Sequence, residues 1–290
     1  MTAATPAIGQ RTRLRRAIAF TRFELADSLR SRWLGSSLAL YALVFVIFVA
    51  LGLRESSILG FTGISRVVLN VTNGVLVAVP LLVLLATCQV VVRARRNGLL
   101  EMTLAQPVRR SEWFVGVLAS RAAVLIGPLV VMCLGAALIG AASGGEQGLA
   151  AITARCLAVS TALAWAFLGI GLFISAVAKT AERAVVFALV VWVSATALHD
   201  FALIGLLLNV RLPPRAVFAL AALNPSEAAR IGILTGVDAE LSVLGPVGFW
   251  IANALGATKA LLVAVAWPLT LGTLGVVAAA RNVRRGDAIG

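Results

Sequence analysis

Long apolar runs separated by short polar stretches dominate the chain. Each run is about 20 residues or longer, which is the length that crosses a hydrocarbon core of ~30 Å as a helix. The pattern therefore predicts an all-α polytopic membrane protein with six transmembrane helices. The predicted spans lie within residues 34–53, 67–92, 115–142 and 156–178, in a fifth run that begins at Ala184, and within 260–280.

The polar stretch between the second and third predicted spans has its own pattern. Gly98 opens a run of good helix formers, Leu99 to Gln106. Pro107 is predicted to end this short helix, because proline lacks the amide donor and clashes with the preceding turn. Ser111 is predicted to cap the next helix, with Glu112 in its first turn. A short helix that lies across the ends of two spans can transmit force to a soluble partner. The alternative is an ordinary cytoplasmic loop whose basic residues anchor it at the membrane surface.

Residues 11–33 precede the first span and combine arginines with apolar residues at helical spacing. A basic amphipathic helix beside a span commonly lies in the headgroup plane. The alternative is a basic flank that only orients the first span. We treat 1–290 as a single transmembrane domain, with 93–114 as its cytoplasmic segment.

The longest segment on the other side, 209–259, is interrupted by turn residues. Pro213 and Pro214 break it, and Asn224-Pro225 is predicted to start a short helix through Ile233. A second break is predicted at Gly245, Pro246 and Gly248. The apolar content of the segment predicts helices that fold back into the outer membrane interface.

Composition and charge sharpen this interpretation. Apolar residues make up 60% of the chain and charged residues 13%, whereas soluble domains have about half and about a quarter. The net charge of +13 is unevenly distributed: alternate loops, starting with the N-terminal arm, hold 17 of the 25 basic residues against six acidic ones. This positive-inside asymmetry predicts that both termini lie in the cytoplasm. It argues against nucleic acid as the partner of the positive charge.

Enzyme classes find little support in the sequence. There is no phosphate-binding Gly-x-x-x-x-Gly-Lys-[Ser/Thr] loop, and the only lysines are Lys179 and Lys259. The chain therefore cannot hydrolyse ATP by that route, so any ATP would be bound by a separate energising subunit, and no cofactor is predicted for the chain itself. The single histidine, His199, excludes a multi-histidine protease site. Ser175 and Ser194 lack an evident His or Lys partner for serine chemistry.

The three cysteines, Cys88, Cys133 and Cys156, lie in apolar segments without paired spacing. Buried free cysteine usually packs as a small apolar residue. Met132-Cys133 offers soft ligands of the kind that copper(I) prefers, but no second ligand cluster lies at a matching depth. No metal site is predicted.

The pair His199-Asp200 is the candidate pathway site. Asp200 lies 17 residues beyond Arg183, or roughly 25 Å along a helix. Ionisable residues at such a depth are costly and usually face the bundle interior or a water-filled path. The alternative is that the helix ends near Leu198 and that Asp200 lies in the wet interface.

Specific residues of the chain resemble a known family. The order of a few residues in the 93–116 stretch resembles the signature of ABC-2 type transporter permeases: Gly98, Leu99, Glu101, Gln106, Pro107, Arg110 and Gly116. Residues 22–34, 59–62 and 223–230 look like the permease of the copper-processing transporter for nitrous-oxide reductase maturation. One departure is that arginines stand where the family usually carries acidic residues before the coupling glycine: Arg93, Arg95 and Arg96.

The resemblance implies an ABC-2 (type V exporter-like) fold in the cytoplasmic membrane. It implies that the short helix is a coupling helix, with Leu99, Leu100, Met102 and Leu104 available to a groove on the ATPase. Glu101 and the flanking arginines, Arg93 and Arg95 among them, are then expected to make polar contacts. It also implies a homodimer with two ATPase subunits, outward movement of cargo and a role in copper-site assembly; a periplasmic accessory protein is a further candidate partner. The alternatives are an exporter of lipid-linked or drug-like compounds, or a non-transporting scaffold or regulator.

Overall fold

The structure is a computed structural model that describes residues 64–105, 108–142, 149–210, 212–236 and 245–285, together with positions 26, 39, 42, 43 and 46. Across these residues the secondary structure is helical, with no strand, so the predicted all-α fold is confirmed. Apart from those five positions, the predicted first span and the 11–33 amphipathic helix lie outside the described residues, and so do Gln106 and Pro107.

The described helices are numbered in chain order. They are α1 Ile64–Thr87, α2 Val90–Arg96, α3 Leu99–Leu104, α4 Arg110–Ala142, α5 Leu149–Val177, α6 Ala181–Val193, α7 His199–Asn209, α8 Pro214–Leu223, α9 Pro225–Leu234, α10 Gly245–Trp250 and α11 Ala257–Arg285. Two π-helical turns, Ser194–Leu198 and Ile251–Leu255, follow α6 and α10.

Five stretches of the described chain are long and apolar enough to cross a membrane, and they correspond to the second to sixth predicted spans. They are Leu76–Arg96, Arg110–Gly135, Ala150–Val177, Ala181–Asn209 and Ala257–Arg285. The helices α8 and α9 are each 10 residues long and meet at a bend of 120°. Each arm reaches only ~15 Å, half of a bilayer core. The pair therefore fits the expected re-entrant hairpin better than a single span.

Helix α5 occupies the centre of the bundle and packs against α1, α4, α9 and α11. Its closest neighbour is α11, where three glycines let the two backbones approach each other. A Cβ atom on Gly275 would lie 2.6 Å from the carbonyl carbon of Gly169, and one on Gly272 would lie 2.6 Å from Cδ1 of Trp165. Close helix approach through small residues is typical of membrane bundles, because lipid supplies no hydrophobic drive between helices.

Several predicted helix boundaries were wrong. Helix α4 begins at Arg110, so Ser111 is not its N-cap; the amide of Arg109 instead donates to Oε2 of Glu112 at 3.0 Å. Helix α3 ends at Leu104 and not at Gln106. Gly245 and Pro246 do not break the chain but begin α10, since the first turn of a helix tolerates a proline that lacks an amide donor.

The fifth span is one long helical path with a wide turn in its middle. Thr180 caps its start, because Oγ1 accepts from the amide of Arg183 at 3.3 Å. The path continues through the π-helical turn Ser194–Leu198 into α7, which ends at Asn209. The alternative that the helix ends near Leu198 is therefore wrong. The predicted helix after Asn224, in contrast, is confirmed as α9.

Candidate functional site

A left-handed glycine creates the turn between α2 and α3. Gly98 has φ = 67°, and its amide donates to the carbonyl of Arg95 at 3.2 Å while its own carbonyl accepts from Met102 at 2.9 Å. The residue thus closes α2 and opens α3. Glycine adopts this conformation without the penalty that a Cβ atom imposes. A Cβ atom here would meet no other atom within 4 Å, so the requirement concerns the backbone and not space.

Helix α3 presents an exposed face that we call the docking face: Leu99, Glu101 and Met102. The exposed fractions are 49% for Leu99 and 74% for Met102, and Glu101 is also exposed. Leu99 and Met102 are three residues apart and lie on one side of the helix. Leu100 is 8% exposed and packs into the core, so the expectation that it is available to a partner was wrong. The side chain of Leu104 lies outside the described residues.

Two arginines secure the ends of this segment to other spans. Nη1 of Arg95 donates to the carbonyl of Ala176 near the end of α5 at 2.9 Å, and Nη1 of Arg110 donates to the carbonyl of Val283 near the end of α11 at 3.4 Å. Cationic donors are well suited to the carbonyls at helix C-termini. Arg95 is therefore turned inward and forms part of the support, contrary to its expected role beside Arg93 as a polar contact for the partner.

The other two arginines remain at the surface. Arg93 is exposed, and Nη1 of Arg96 lies 3.5 Å from Oε2 of Glu182 at the start of α6. These side chains are 54% and 76% exposed, so the pair adds little stability. The ends of α2, α5 and α11 and the starts of α4 and α6 meet on one side of the molecule. The described parts of three segments that the charge pattern predicts to be cytoplasmic, 93–114, 178–184 and 281–285, therefore lie together.

A buried serine supports the break between α1 and α2. Helix α1 ends at Thr87 and α2 begins at Val90. Because α2 is a new helix, the amides of its first turn have no acceptor within the helix. Oγ of Ser175 on α5 accepts from Val91 at 2.8 Å and from Val92 at 3.3 Å. Ser175 is fully buried. The sequence offered Ser175 only as a serine without a catalytic partner, and its contacts show a structural role.

A second polar site lies at the far end of the fifth span, and we call it the outer ion cluster: Asp200, Glu227 and Arg230. Nη1 of Arg230 lies 3.7 Å from Oδ2 of Asp200 and 2.9 Å from Oε1 of Glu227. Asp200 is on α7, whereas the other two are on α9. The side chains of Asp200 and Arg230 are 33% and 36% exposed, and that of Glu227 is 15% exposed. The cluster ties the fifth span to the re-entrant hairpin.

The sequence interpretation identified Asp200 but missed its partners. Glu227 and Arg230 are three residues apart in an otherwise apolar helix, and this spacing places them on one face of α9. That spacing was the signal that could have found them. His199, the other candidate pathway residue, is half-buried on α7, and its Nε2 has no hydrogen-bond partner within the described part of the chain. The geometry does not bring His199 into the ion cluster.

The π-helical turn next to Asp200 is held by the hairpin. Nδ2 of Asn224, between α8 and α9, donates to the carbonyl of Ala195 at 2.6 Å. Oδ1 of the same side chain accepts from the amide of Ser226 at 3.0 Å and caps α9. π-helical turns often mark functional sites, because they expose backbone groups that an α-helix would satisfy internally. Asn224 thus links the bend of the hairpin to the π-helical turn of the fifth span.

Among the residues that the structure describes, no three His, Cys, Asp or Glu side chains come close enough together to hold a metal ion. The three cysteines are free thiols: Cys88 is buried in the turn between α1 and α2, whereas Cys133 on α4 and Cys156 on α5 are half-buried.

The chain is similar to known transporter proteins. Residues 18–281 match the sequence model of a family described as "ABC-2 family transporter protein". A "Probable ABC transporter permease protein NosY" of Stutzerimonas stutzeri is 28% identical over 260 residues, which cover 88% of this chain and 92% of that protein. A protein of the same description from Pseudomonas aeruginosa is 29% identical over 258 residues, which cover 84% and 94%.

Proposed function

The chain belongs to the ABC-2 transporter family as a permease subunit of an ABC transporter, and we propose that it moves cargo outward with energy from ATP that a separate subunit binds and hydrolyses. It is a multi-pass membrane protein, and membership of this family implies an ATPase partner. The single observation that carries the proposal is the docking face of α3. Exposed apolar residues held on a polar, arginine-rich segment fit a protein partner better than they fit water.

The contacts around α3 suggest how a movement of the ATPase reaches the spans. Helix α3 follows α2 directly through Gly98, and α2 is bonded to α5 through Ser175 and Arg95. Helix α5 in turn packs along α11 and contacts α1, α4 and α9. A displacement of α3 is therefore transmitted first to the central helix. The coupling residues in this proposal are Gly98, Leu99, Glu101, Gln106, Pro107 and Arg110, with Arg110 acting through its bond to the end of α11.

At the other end of the bundle, the outer ion cluster is the proposed gate. Arg230 and Asp200 connect the fifth span to the hairpin, and Asn224 bonds the π-helical turn. A wide turn and a partly exposed ion pair can rearrange at lower cost than a packed apolar contact can. In this proposal Asp200, with His199 beside it, lines the polar path, and opening separates α7 from α9.

Partners and cargo are further parts of the proposal. The permease acts as a homodimer with two ATPase copies in the cytoplasmic membrane, with both termini inside. Two similar proteins bear the name NosY, and the resemblance to copper-processing permeases favours a role in the maturation of nitrous-oxide reductase, with a periplasmic accessory protein. An exporter of lipid-linked or drug-like compounds is the second candidate, and a scaffold without transport is the third.

The docking face gives the first test. The tagged permease is isolated from native membranes with the ATPase that copurifies, and the affinity of the two purified subunits is then measured. Truncation of an interface anchor costs ~2 kcal/mol or more, or about 30-fold in affinity. Leu99→Ala and Met102→Ala should each weaken association by about this factor.

Leu138→Ala is the matched control, because Leu138 is 72% exposed on the distant half of α4. It should leave the affinity unchanged. Equal affinities for the control and both docking-face variants would contradict the proposed contact. A steep fall of the association rate with added salt is also expected, since Arg93 and Arg96 remain at the surface beside α3.

A further inference from the structure

An open pocket of about 270 Å³ lies between α1–α2 and α4, beside the first residue of α3. One part of its lining is polar and comes from Gln89, Arg93, Asn97 and Arg121. The rest is aliphatic or aromatic, with Leu85, Val117 and Trp113 among the contributors. A pocket with a cationic part and an apolar part fits an amphiphilic ligand that carries negative charge.

The charge of the lining has one sign. Arg93 and Arg121 are the two ionisable residues among the described residues of the lining, and none of those residues is acidic. Arg93 is exposed, and the nearby Glu182 lies against Arg96. Guanidinium groups bind phosphate through strong, charge-assisted hydrogen bonds. An anionic group is therefore the natural occupant of the polar part.

Trp113 supplies an independent sign of a missing acceptor. Its indole lines the pocket and is 1% exposed, yet Nε1 has no hydrogen-bond partner within the described part of the chain. A buried donor without an acceptor is costly, so nearly all such groups are paired in proteins. A ligand oxygen that enters beside the indole ring would satisfy this donor.

The position of the pocket favours a lipid as its ligand. It opens between two membrane-spanning stretches, Leu76–Arg96 and Arg110–Gly135, whose surfaces carry exposed apolar side chains such as Val77 and Val115. Basic pockets between spans on the cytoplasmic side commonly hold the headgroups of anionic lipids. The N-terminal arm is a poorer occupant: residues 1–33 contain seven arginines and two acidic residues, so its charge has the same sign as that of the pocket.

We propose that this pocket binds an anionic glycerophospholipid, with the phosphate on Arg93 and the Nε1 donor of Trp113 and the acyl chains along α1 and α4. Leu99 of the docking face also lines the pocket. A bound headgroup therefore lies against the docking face at Leu99 and can influence how α3 meets the ATPase. This second consequence rests on the proposed function, whereas the binding site itself does not.

Native mass spectrometry of the detergent-solubilised full-length chain tests the site without any ATPase. Phosphatidylglycerol and phosphatidylcholine with identical acyl chains are titrated separately. The wild-type protein should retain phosphatidylglycerol at least tenfold more tightly, which is ~1.4 kcal/mol. Arg93→Gln should abolish most of this preference. Trp113→Phe, which keeps the ring but removes the donor, should reduce it severalfold.

Arg96→Gln is the matched control, since Arg96 is a neighbouring exposed arginine that does not line the pocket. It should keep the preference. Equal retention of the two lipids, or equal losses in Arg93→Gln and Arg96→Gln, would overturn the proposal. Displacement of the lipid by an equal concentration of glycerol phosphate would assign the pocket to a free phosphate. Phosphatidylglycerol binding that appears only after residues 1–33 are deleted would assign it to the N-terminal arm.

Discussion

Arg230 on α9 forms an ion pair with Asp200 on α7 across 3.7 Å, and the same guanidinium lies 2.9 Å from Glu227 one turn earlier on α9. Asp200 is thus shared between the fifth span and the hairpin. A lone carboxylate in an apolar span is costly, and this pairing reduces the cost. The pair is also partly exposed, at 33% and 36%. Its geometry fits a contact that can open and close.

Asp200→Asn is predicted to impair transport without unfolding the protein. Arg230 keeps Glu227 as its partner, and partly exposed ion pairs are worth ~0–1 kcal/mol, so the free energy of unfolding should fall by no more than about 1 kcal/mol. Transport is measured as the restoration of active nitrous-oxide reductase in a host that lacks its own permease. Pull-down of the ATPase checks assembly and should be normal.

Glu182→Gln is the control for Asp200→Asn. It removes the Arg96 pair at the opposite end of the same span, and it should preserve transport. Normal transport by Asp200→Asn, in a host where the wild-type chain restores the reductase, would leave Asp200 without a gating role.

Ser175→Ala is predicted to loosen α2 from α5. The change removes the acceptor for the amides of Val91 and Val92, and a buried donor left unpaired costs ~1–3 kcal/mol. The free energy of unfolding should fall by about this amount in a thermal or denaturant titration of the purified permease. Ser120→Ala is the matched control. Ser120 is also fully buried, but its hydroxyl bonds only to the carbonyl of Val117 in its own helix. Similar losses in the two variants would show that Ser175 does not hold α2.

The proposed topology predicts that α3 and the start of α11 lie on opposite sides of the membrane. Met102→Cys and Lys259→Cys, both at exposed positions, are introduced separately after replacement of the three native cysteines. An impermeant maleimide added outside intact cells should label the cysteine at position 259 and leave that at 102 unmodified until the cells are opened. Labelling of position 102 from outside would reverse the assignment of the termini. Met102 is preferable to Gly98, since the left-handed backbone of Gly98 disfavours a side chain.

Apolar run length was enough to predict most of the described architecture. The second to sixth spans and the helix after Asn224 were predicted, because long apolar runs and an Asn-Pro N-cap are local signals. The limits of α3 and α4 were not predicted correctly. At the start of α4, the side chain that accepts a backbone amide is that of Glu112, whereas Ser111 was the expected cap. The π-helical turn at Ser194–Leu198 was also missed, because its sequence differs little from that of the flanking helix.

The site depended on contacts that local sequence does not specify. Leu99 and Leu100 are adjacent and equally apolar, so the sequence did not indicate that Leu100 is buried while Leu99 is exposed. The bond from Arg95 to Ala176 and the acceptance of two α2 amides by Ser175 join residues more than 80 positions apart. The residues that the family resemblance emphasises, Gly98 and Glu101, stand at the left-handed turn and on the exposed side of α3.

The central claim is that α3 couples ATP hydrolysis to the permease. Leu99→Ala combined with Glu101→Ala removes an exposed apolar anchor and the only acidic group of the docking face, and it leaves the buried contacts of Leu100 in place. The ATPase turnover of the purified complex is measured in nanodiscs beside Leu138→Ala. The double variant should insert normally but lose the dependence of turnover on the membrane subunit, or release the ATPase. A double variant that retains its ATPase and supports normal, permease-dependent turnover would contradict the account.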